Sequence, residues 1–281
     1  MKLKLRKLYF DNGLGDVIDF TSKELLYQDN DLMKQSWSYN KTQFANGATE
    51  ITDFYKSDKS YSLTVHLWDV KSETAYREVI DRLTAAADKN ILTGTFGKLY
   101  LNDDYLLCRI TGIEHMDWRK RRFEHKIKLT LTADYPMWIH EQDILLTTAS
   151  SSGGKLYPLS YPYSYGARAT VNAIRNSHYS DSDFKITFYG YAEEPSLNIG
   201  GVVYGFSDLI LTSSEYAVYD TFNRQMYKMS DSVKTDLFNS RMTRSGAAYT
   251  PLKPGDNPLT WSRSFTAKVT IYQERSLPSW V

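Results

Sequence analysis

The chain has 281 residues, with 34 Lys plus Arg against 33 Asp plus Glu, so its formal net charge is +1. That length accommodates two domains of ordinary size, and the charge balance excludes bulk electrostatic attraction to nucleic acid or a membrane surface. Cys108 is the only cysteine, which excludes an intramolecular disulfide and a small stapled secreted domain.

The N-terminal segment from Met1 to Phe10 alternates charged and apolar residues. It lacks the apolar centre of a signal peptide and reads as a strand, ending at the turn Asp11-Asn12-Gly13. The expectation is a protein made and assembled in a reducing cytoplasm. Short strands follow at Val17–Phe20, Gln35–Tyr39, Thr49–Tyr55 and Tyr61–Trp68. In the last of these Tyr61, Leu63, Val65 and Leu67 share one face. A helix is predicted over Glu73–Lys89, because Tyr76, Val79, Ile80, Leu83 and Ala87 form one apolar stripe. Ser72 is its N-cap, and Asn90 is read as its stop. Lys98–Leu101 and Tyr105–Gly112 flank the polar tip Asn102-Asp103-Asp104 as a hairpin. Phe123–Ala133 is a further strand.

Thr147–Lys155 reads Thr-Thr-Ala-Ser-Ser-Ser-Gly-Gly-Lys, a coreless composition that marks the expected domain boundary. Next comes the run Tyr157-Pro158-Leu159-Ser160-Tyr161-Pro162-Tyr163-Ser164-Tyr165. In extended form it puts Tyr157, Leu159, Tyr161, Tyr163 and Tyr165 on one face. Its prolines restrict it to an edge strand or a polyproline-like strap. The aromatic face packs either on its own domain or on another subunit. Beyond it only short strands are predicted, at Ala169–Ile174, Phe184–Tyr191, Ser196–Ile199, Val202–Phe206, Asp208–Leu211, Tyr216–Tyr219, Gln225–Met229 and Ala267–Tyr272. Pro254-Gly255 fits the centre of a type II turn. Many short strands at close spacing argue a β-sandwich. The fold class is mainly β, and the 22 tyrosines suit surfaces that are half wet.

The residues hold no pattern for catalysis. The five histidines form no His-x-x-x-His pair, and one cysteine cannot build a thiolate zinc site. No P-loop, complete dinucleotide fingerprint or Gly-x-Ser-x-Gly elbow occurs. Gln28-Asp29-Asn30-Asp31 begins like a calcium loop but lacks the glycine and distal glutamate, so it reads as a solvated turn. Asp103-Asp104 and Glu193-Glu194 also read as solvated turn acids. The expectation is therefore no catalytic, cofactor-binding or metal-binding residue. The one dense charge cluster is Arg119-Lys120-Arg121-Arg122, flanked by Trp118 and Phe123. It fits a solvated hairpin tip, a contact with a neighbour's carboxylates or, less well at this net charge, nucleic acid.

Several segments together resemble the distal tail proteins of long-tailed bacteriophages. Leu8-Tyr9-Phe10-Asp11 is similar to that family's opening strand and turn. The run from Leu129 through Tyr135-Pro136 to Trp138 resembles the close of its N-terminal domain. The Tyr/Pro strap resembles the segment opening its second domain. Ile186–Gly190 followed by Glu194–Ile199 matches its strand–turn–strand pattern, and Leu252–Asn257 its late turn. The polar stretch Asp220–Gly246 departs from the pattern.

The resemblance implies an N-terminal β-domain with one helix, residues 1–146, that forms a hexameric ring. It implies a linker at 147–155 and a galectin-like β-sandwich at 156–281. The expected role is structural and not enzymatic: a homo-hexamer in the virion tail tip joining tail-tube protein to the tail-tip hub and to receptor-binding or baseplate proteins. No specific nucleic acid and no membrane insertion are expected. Arg119, Lys120, Arg121, Arg122, Tyr161, Tyr163 and Tyr165 are the expected subunit or partner contacts. The competing expectations are a carbohydrate-binding, lectin-like host-recognition protein, in which residues 156–281 alone hold glycan, and a glycan-cleaving enzyme using Glu193 or Glu194.

Overall fold

The computed structural model describes residues 7–68, 70, 72–116, 125–148, 171–242 and 248–279. The chain divides into two compact units, Met1–His140 with Glu274–Val281, and Glu141–Gln273. The first begins with strands β1 (Leu8–Asp11), β2 (Val17–Asp19), β3 (Leu25–Asn30), β4 (Ser38–Gln43), β5 (Thr49–Tyr55) and β6 (Lys59–Leu67). Helix α1 (Glu73–Thr93) follows, then β7 (Gly97–Leu101), β8 (Asp104–Met116), β9 (His125–Ala133) and the start of β10 (Trp138–Leu146). The mainly β architecture with one α-helix among the described residues is the one expected.

Strand β8 organises this unit. Its first half pairs with β7, Leu101 opposite Asp104 and Gly97 opposite Cys108, and with β10, Trp138 opposite Leu106. Its second half pairs with β9, from Arg109 opposite Thr132 to Met116 opposite Lys126. A register shift between Ile110 and Gly112 lies just inside the second half, where a bulge bends the strand and re-aims it. One run of strands is therefore β2-β1-β7-β8-β10, and the other β3-β6-β9-β8. The hairpin tip between β7 and β8 holds two residues, Asn102 and Asp103, not three. Asp104 is already in the ladder, 3% exposed, with its carboxylate 2.7 Å from His140 Nδ1.

The helix starts where expected: the Ser72 hydroxyl accepts from the Ala75 N–H at 3.1 Å. It does not stop at Asn90. That residue is buried inside the helix, and its side-chain amide donates to the Asn12 carbonyl at 2.9 Å and to Thr95 Oγ1 at 3.0 Å. These two bonds satisfy its NH2 group, although its Oδ1 is buried without a partner among the described residues, and the helix runs on to Gly94, whose left-handed φ of 68° forms the C-cap. Val79, Leu83, Ala86 and Ala87 bury the helix face in a core with Phe10, Leu63, Val65, Cys108, Leu129 and Trp138. The Cys108 thiol is fully buried and its pKa is pushed up to about 12 by that burial, so it is a packing residue.

The second unit contains the end of β10, then β11 (Ala173–Asn176), β12 (Phe184–Tyr189), β13 (Ala192–Glu193), β14 (Ser196–Ile199), β15 (Val202–Gly205) and β16 (Ile210–Leu211). It continues with β17 (Tyr216–Asp220), β18 (Gln225–Ser230), β19 (Val233–Asp236), a short 3₁₀ turn at Phe238–Ser240, β20 (Gly255–Thr260) and most of β21 (Thr266–Arg275). Strands β19-β18-β17-β12-β21 follow one another in one sheet, and β11-β20-β14-β15 form a second. Alternation decides the packing. Phe184, Ile186 and Phe188 of β12 are buried, while Lys185, Thr187 and Tyr189 face the other way. The two inner faces meet in aromatic pairs such as Phe184 against Tyr204, centroids 4.9 Å apart at 90°, an edge-to-face geometry. Gly200 and Gly201, with φ of 61° and 87°, close the two-residue turn between Ile199 and Val202. Only residues tolerant of positive φ make that tight hairpin.

Strands β10 and β21 each begin in one unit and end in the other. Residues 149–155 of the Gly/Ser-rich stretch lie outside the described residues.

Candidate interaction surfaces

The sequence-predicted contact residues Arg119, Lys120, Arg121, Arg122, Tyr161, Tyr163 and Tyr165 all lie outside the described residues. Beside the basic cluster, the strands that it connects end in a histidine pair, His115 Nδ1 to His125 Nε2 at 2.9 Å. Burial lowers the His125 pKa first, and the neighbouring His115 and His66 lower it further. One ring of this pair must stay neutral to accept the proton of the other.

Two surfaces stand out that the contact residues read from sequence missed. The first is the β4–β5 hairpin of the first unit. Among the described residues its strands pair only with each other, Ser38 opposite Tyr55 and Gln43 opposite Thr49, with a bulge at Asn40/Lys41. Every residue of β5 is exposed. Trp37, Tyr39, Phe44, Ile51, Phe54 and Tyr55 are between 43% and 58% exposed. Tyr39 and Phe54 touch edge-on at 6.2 Å on one face, so Tyr55, the next residue along, points to the other. Lys56 lies 4.4 Å from the Trp37 ring centroid and donates to the Ser36 carbonyl at 3.0 Å. A two-stranded ribbon with both faces wet is marginal on its own, and contiguous exposed apolar area marks an interaction site. The signal in the sequence is the loss of alternation: aromatic residues at 37, 39, 44, 54 and 55 do not share one face.

The second surface is the outward face of the larger sheet in the second unit. Tyr189 of β12 lies opposite Tyr216 of β17, and Val218 of β17 opposite Tyr227 of β18. Asp143 accepts from Lys268 at 2.8 Å and from Thr270 Oγ1 at 2.7 Å. Burial raises the Asp143 pKa, but these two hydrogen bonds together with the charges of Lys268 and Lys185 outweigh it and hold the carboxyl below its ordinary value. Among the described residues no group of three or more His, Cys, Asp and Glu side chains is placed to hold a metal ion. Gln28–Asn30 belongs to β3 and is no loop, and Asp31 accepts from the Ser62 N–H at 2.6 Å. Glu194 accepts from the Asp208 N–H at 3.1 Å. Among the described residues no helix is long and apolar enough to cross a membrane.

No family model matches the sequence, and no curated protein matches it. Its fold, however, corresponds to solved structures along nearly its whole length. The crystal structure of the Dit protein (gp 19.1) of phage SPP1 superimposes with a TM-score of 0.59 at 14% identity. That match covers 97% of this chain and 100% of the other; the SPP1 protein is described as a paradigm of the hub adsorption apparatus in phages infecting Gram-positive bacteria. Chains of the phage P2 baseplate in its activated conformation, with Ca and with Sr, give a TM-score of 0.66 at 12% identity, covering 98% of this chain and 100% of theirs. At such identities the likeness establishes the fold alone, which this chain shares with the SPP1 Dit protein and the P2 baseplate chains.

Proposed function

We propose that this protein is a structural component of a phage tail tip: a hexameric ring that joins the tail tube to the tail-tip hub and to receptor-binding or baseplate proteins. The observation that carries this reading is the full-length fold correspondence, 97–98% of this chain against all of its neighbours' chains. A match over one common β-domain would support far less, because a fold alone hosts many functions.

In this reading residues 1–146 build the ring, and residues 156–281, a galectin-like sandwich, project outward as the attachment arm. The site of action is the virion tail tip, with assembly in the host cytoplasm. The role is geometric and involves no reaction. A ring needs a heterologous interface, one patch meeting a different patch on the next copy, and it closes when every copy turns by the same angle. The β4–β5 hairpin supports that requirement. It offers Tyr39, Ile51, Phe54 and Tyr55 on a ribbon whose two strands pair with no other strand among the described residues. Aromatic side chains of this kind dominate interface energetics when a neighbour covers them. Arg119–Arg122 and Tyr161, Tyr163 and Tyr165 are proposed as further subunit or partner contacts.

The test is negative-stain electron microscopy of the purified protein at high concentration, alone and with tail-tube protein. Six-fold rings with a central hole are expected. The double variant Ile51→Asp with Phe54→Asp is expected to give particles of monomer mass with an unchanged circular dichroism spectrum. Compact monomers of the unaltered protein under both conditions would sink the ring reading.

A further inference from the structure

The outward face of the larger sheet in the second unit is not flat. A depression of about 390 Å³ is lined by Lys185, Thr187, Tyr189, Tyr216, Tyr227 and Lys268. A second, of about 400 Å³, is lined by residues that include Arg224, Tyr227, Lys234, Asp236, Phe238 and Tyr249. Tyr227 lines both, so the two adjoin at that residue. Together they make a trough with aromatic rings along its length: Tyr189 and Tyr216, then Tyr227, then the Phe238–Tyr249 pair with centroids 6.4 Å apart and planes 30° apart. Each half has the size of an ordinary small-ligand site.

We propose that this trough binds an uncharged oligosaccharide. A pyranose presents C–H groups on its faces and hydroxyls around its edge. The trough matches both: phenol rings for the faces, and donors and acceptors for the hydroxyls. Thr187, the hydroxyls of Tyr189, Tyr216 and Tyr227 and the Lys185 ammonium donate, and Asp236 accepts. Charge favours the neutral class. Four cations, Lys185, Arg224, Lys234 and Lys268, stand against three carboxylates, Asp143, Asp220 and Asp236. Lys268 is paired with Asp143 at 2.8 Å, Lys185 lies opposite Asp220 in register, and Lys234 donates to Gln225 Oε1 at 2.7 Å. The surplus is a single positive charge, which gives a polyanion little to hold. The aliphatic content is too small for a protein hot spot, which needs a desolvated apolar centre. Val218 and Met226 are the only aliphatic side chains in the lining. Two adjoining depressions fit a chain of sugars better than a single one. This inference is independent of the ring reading.

The full-length protein is tested by saturation-transfer NMR and titration with three neutral probes: cellohexaose, maltohexaose and N-acetylchitohexaose. Saturable binding to at least one, with Kd of about 1 mM or tighter, is expected. Tyr216→Ala and Tyr227→Ala each weaken it about tenfold or more. Tyr191→Ala, which removes a ring 79% exposed and outside the trough, leaves it unchanged. Tyr189→Ala, at a residue already 38% exposed, carries the test if a more buried variant loses its thermal transition. The proposal is overturned if none of the three probes binds, if the trough variants bind as well as the unaltered chain, or if heparin binds more tightly than every neutral probe.

Discussion

Two neighbouring strands of the first unit behave in opposite ways. Strand β6, Lys-Ser-Tyr-Ser-Leu-Thr-Val-His-Leu, buries Tyr61, Leu63, Val65 and Leu67 and leaves the residues between them partly open. Strand β5, Thr-Glu-Ile-Thr-Asp-Phe-Tyr, is exposed at every residue. Both carry aromatic and branched residues of high strand propensity, so propensity does not separate them. Phase does. The apolar residues of β6 recur every second position and share one face, which a single core can cover. Those of β5, at 51, 54 and 55, divide between two faces, and no single layer covers both. The comparison teaches that a strand with apolar residues out of phase is stable only as part of something larger, here proposed to be the next copy in a ring.

Three measurements sharpen this contrast. The largest effect is expected from Leu63→Ala, which empties a fully buried position in β6. It should lower unfolding stability by about 2–5 kcal/mol, read by urea denaturation at dilute concentration so that assembly does not mask it. A loss under 1 kcal/mol would mean that the β6 side of the comparison is wrong.

A smaller effect is expected from acid, again on the β6 side. His125 lies opposite Leu67 of β6, is 4% exposed, and faces His115 of β8, His66 of β6 and the Tyr76 ring of α1. Its pKa is lowered from 6.5, so below 6.5 the unfolded chain binds protons that the folded chain refuses. Stability is therefore complete above that pH and is lost as pH falls toward the depressed folded value. The thermal midpoint should drop between pH 7 and 5, and His125→Gln should flatten the slope. An equal slope in the variant assigns the acid sensitivity elsewhere.

The smallest effect is expected from Phe54→Ala, on the hairpin. Its ring is 58% exposed, so the stability of the dilute monomer should change by no more than about 0.5 kcal/mol. A loss of 2 kcal/mol or more would show that β5 is already covered within its own chain.

Much of the fold was legible in local pattern. The period of two in Lys59–Leu67, His125–Ala133 and Phe184–Tyr189, and the 3.6-residue stripe of α1, report which side of each element meets a core. Ser72 was readable because a cap demands particular chemistry at a single position; Pro254-Gly255, expected as a turn, instead leads into β20, whose first residue Gly255 keeps a left-handed φ of 90°. Asn90, Asp104 and β3 were not readable. Asn90 continues the helix because a carbonyl 78 residues away accepts from it. Asp104 is buried because His140, 36 residues on, sits beside it. β3 forms because β6 offers it an edge. Each outcome depends on a partner distant in sequence, which no local window contains.

The candidate surfaces divide in the same way. The sequence by itself determined a mainly β chain of balanced charge, one amphipathic helix, an inert buried thiol and no catalytic motif. It also marked the excess of tyrosine that suits wet interfaces. Only the tertiary structure decided which of those tyrosines is spent in a core, as Tyr204 and Tyr219 are, and which lines the open trough, as Tyr189, Tyr216 and Tyr227 do. Alternation along a strand assigns residues to two faces. Whether a face meets a second sheet or solvent is settled by the packing of elements far apart in the chain, because burial belongs to pairs of surfaces and not to one strand.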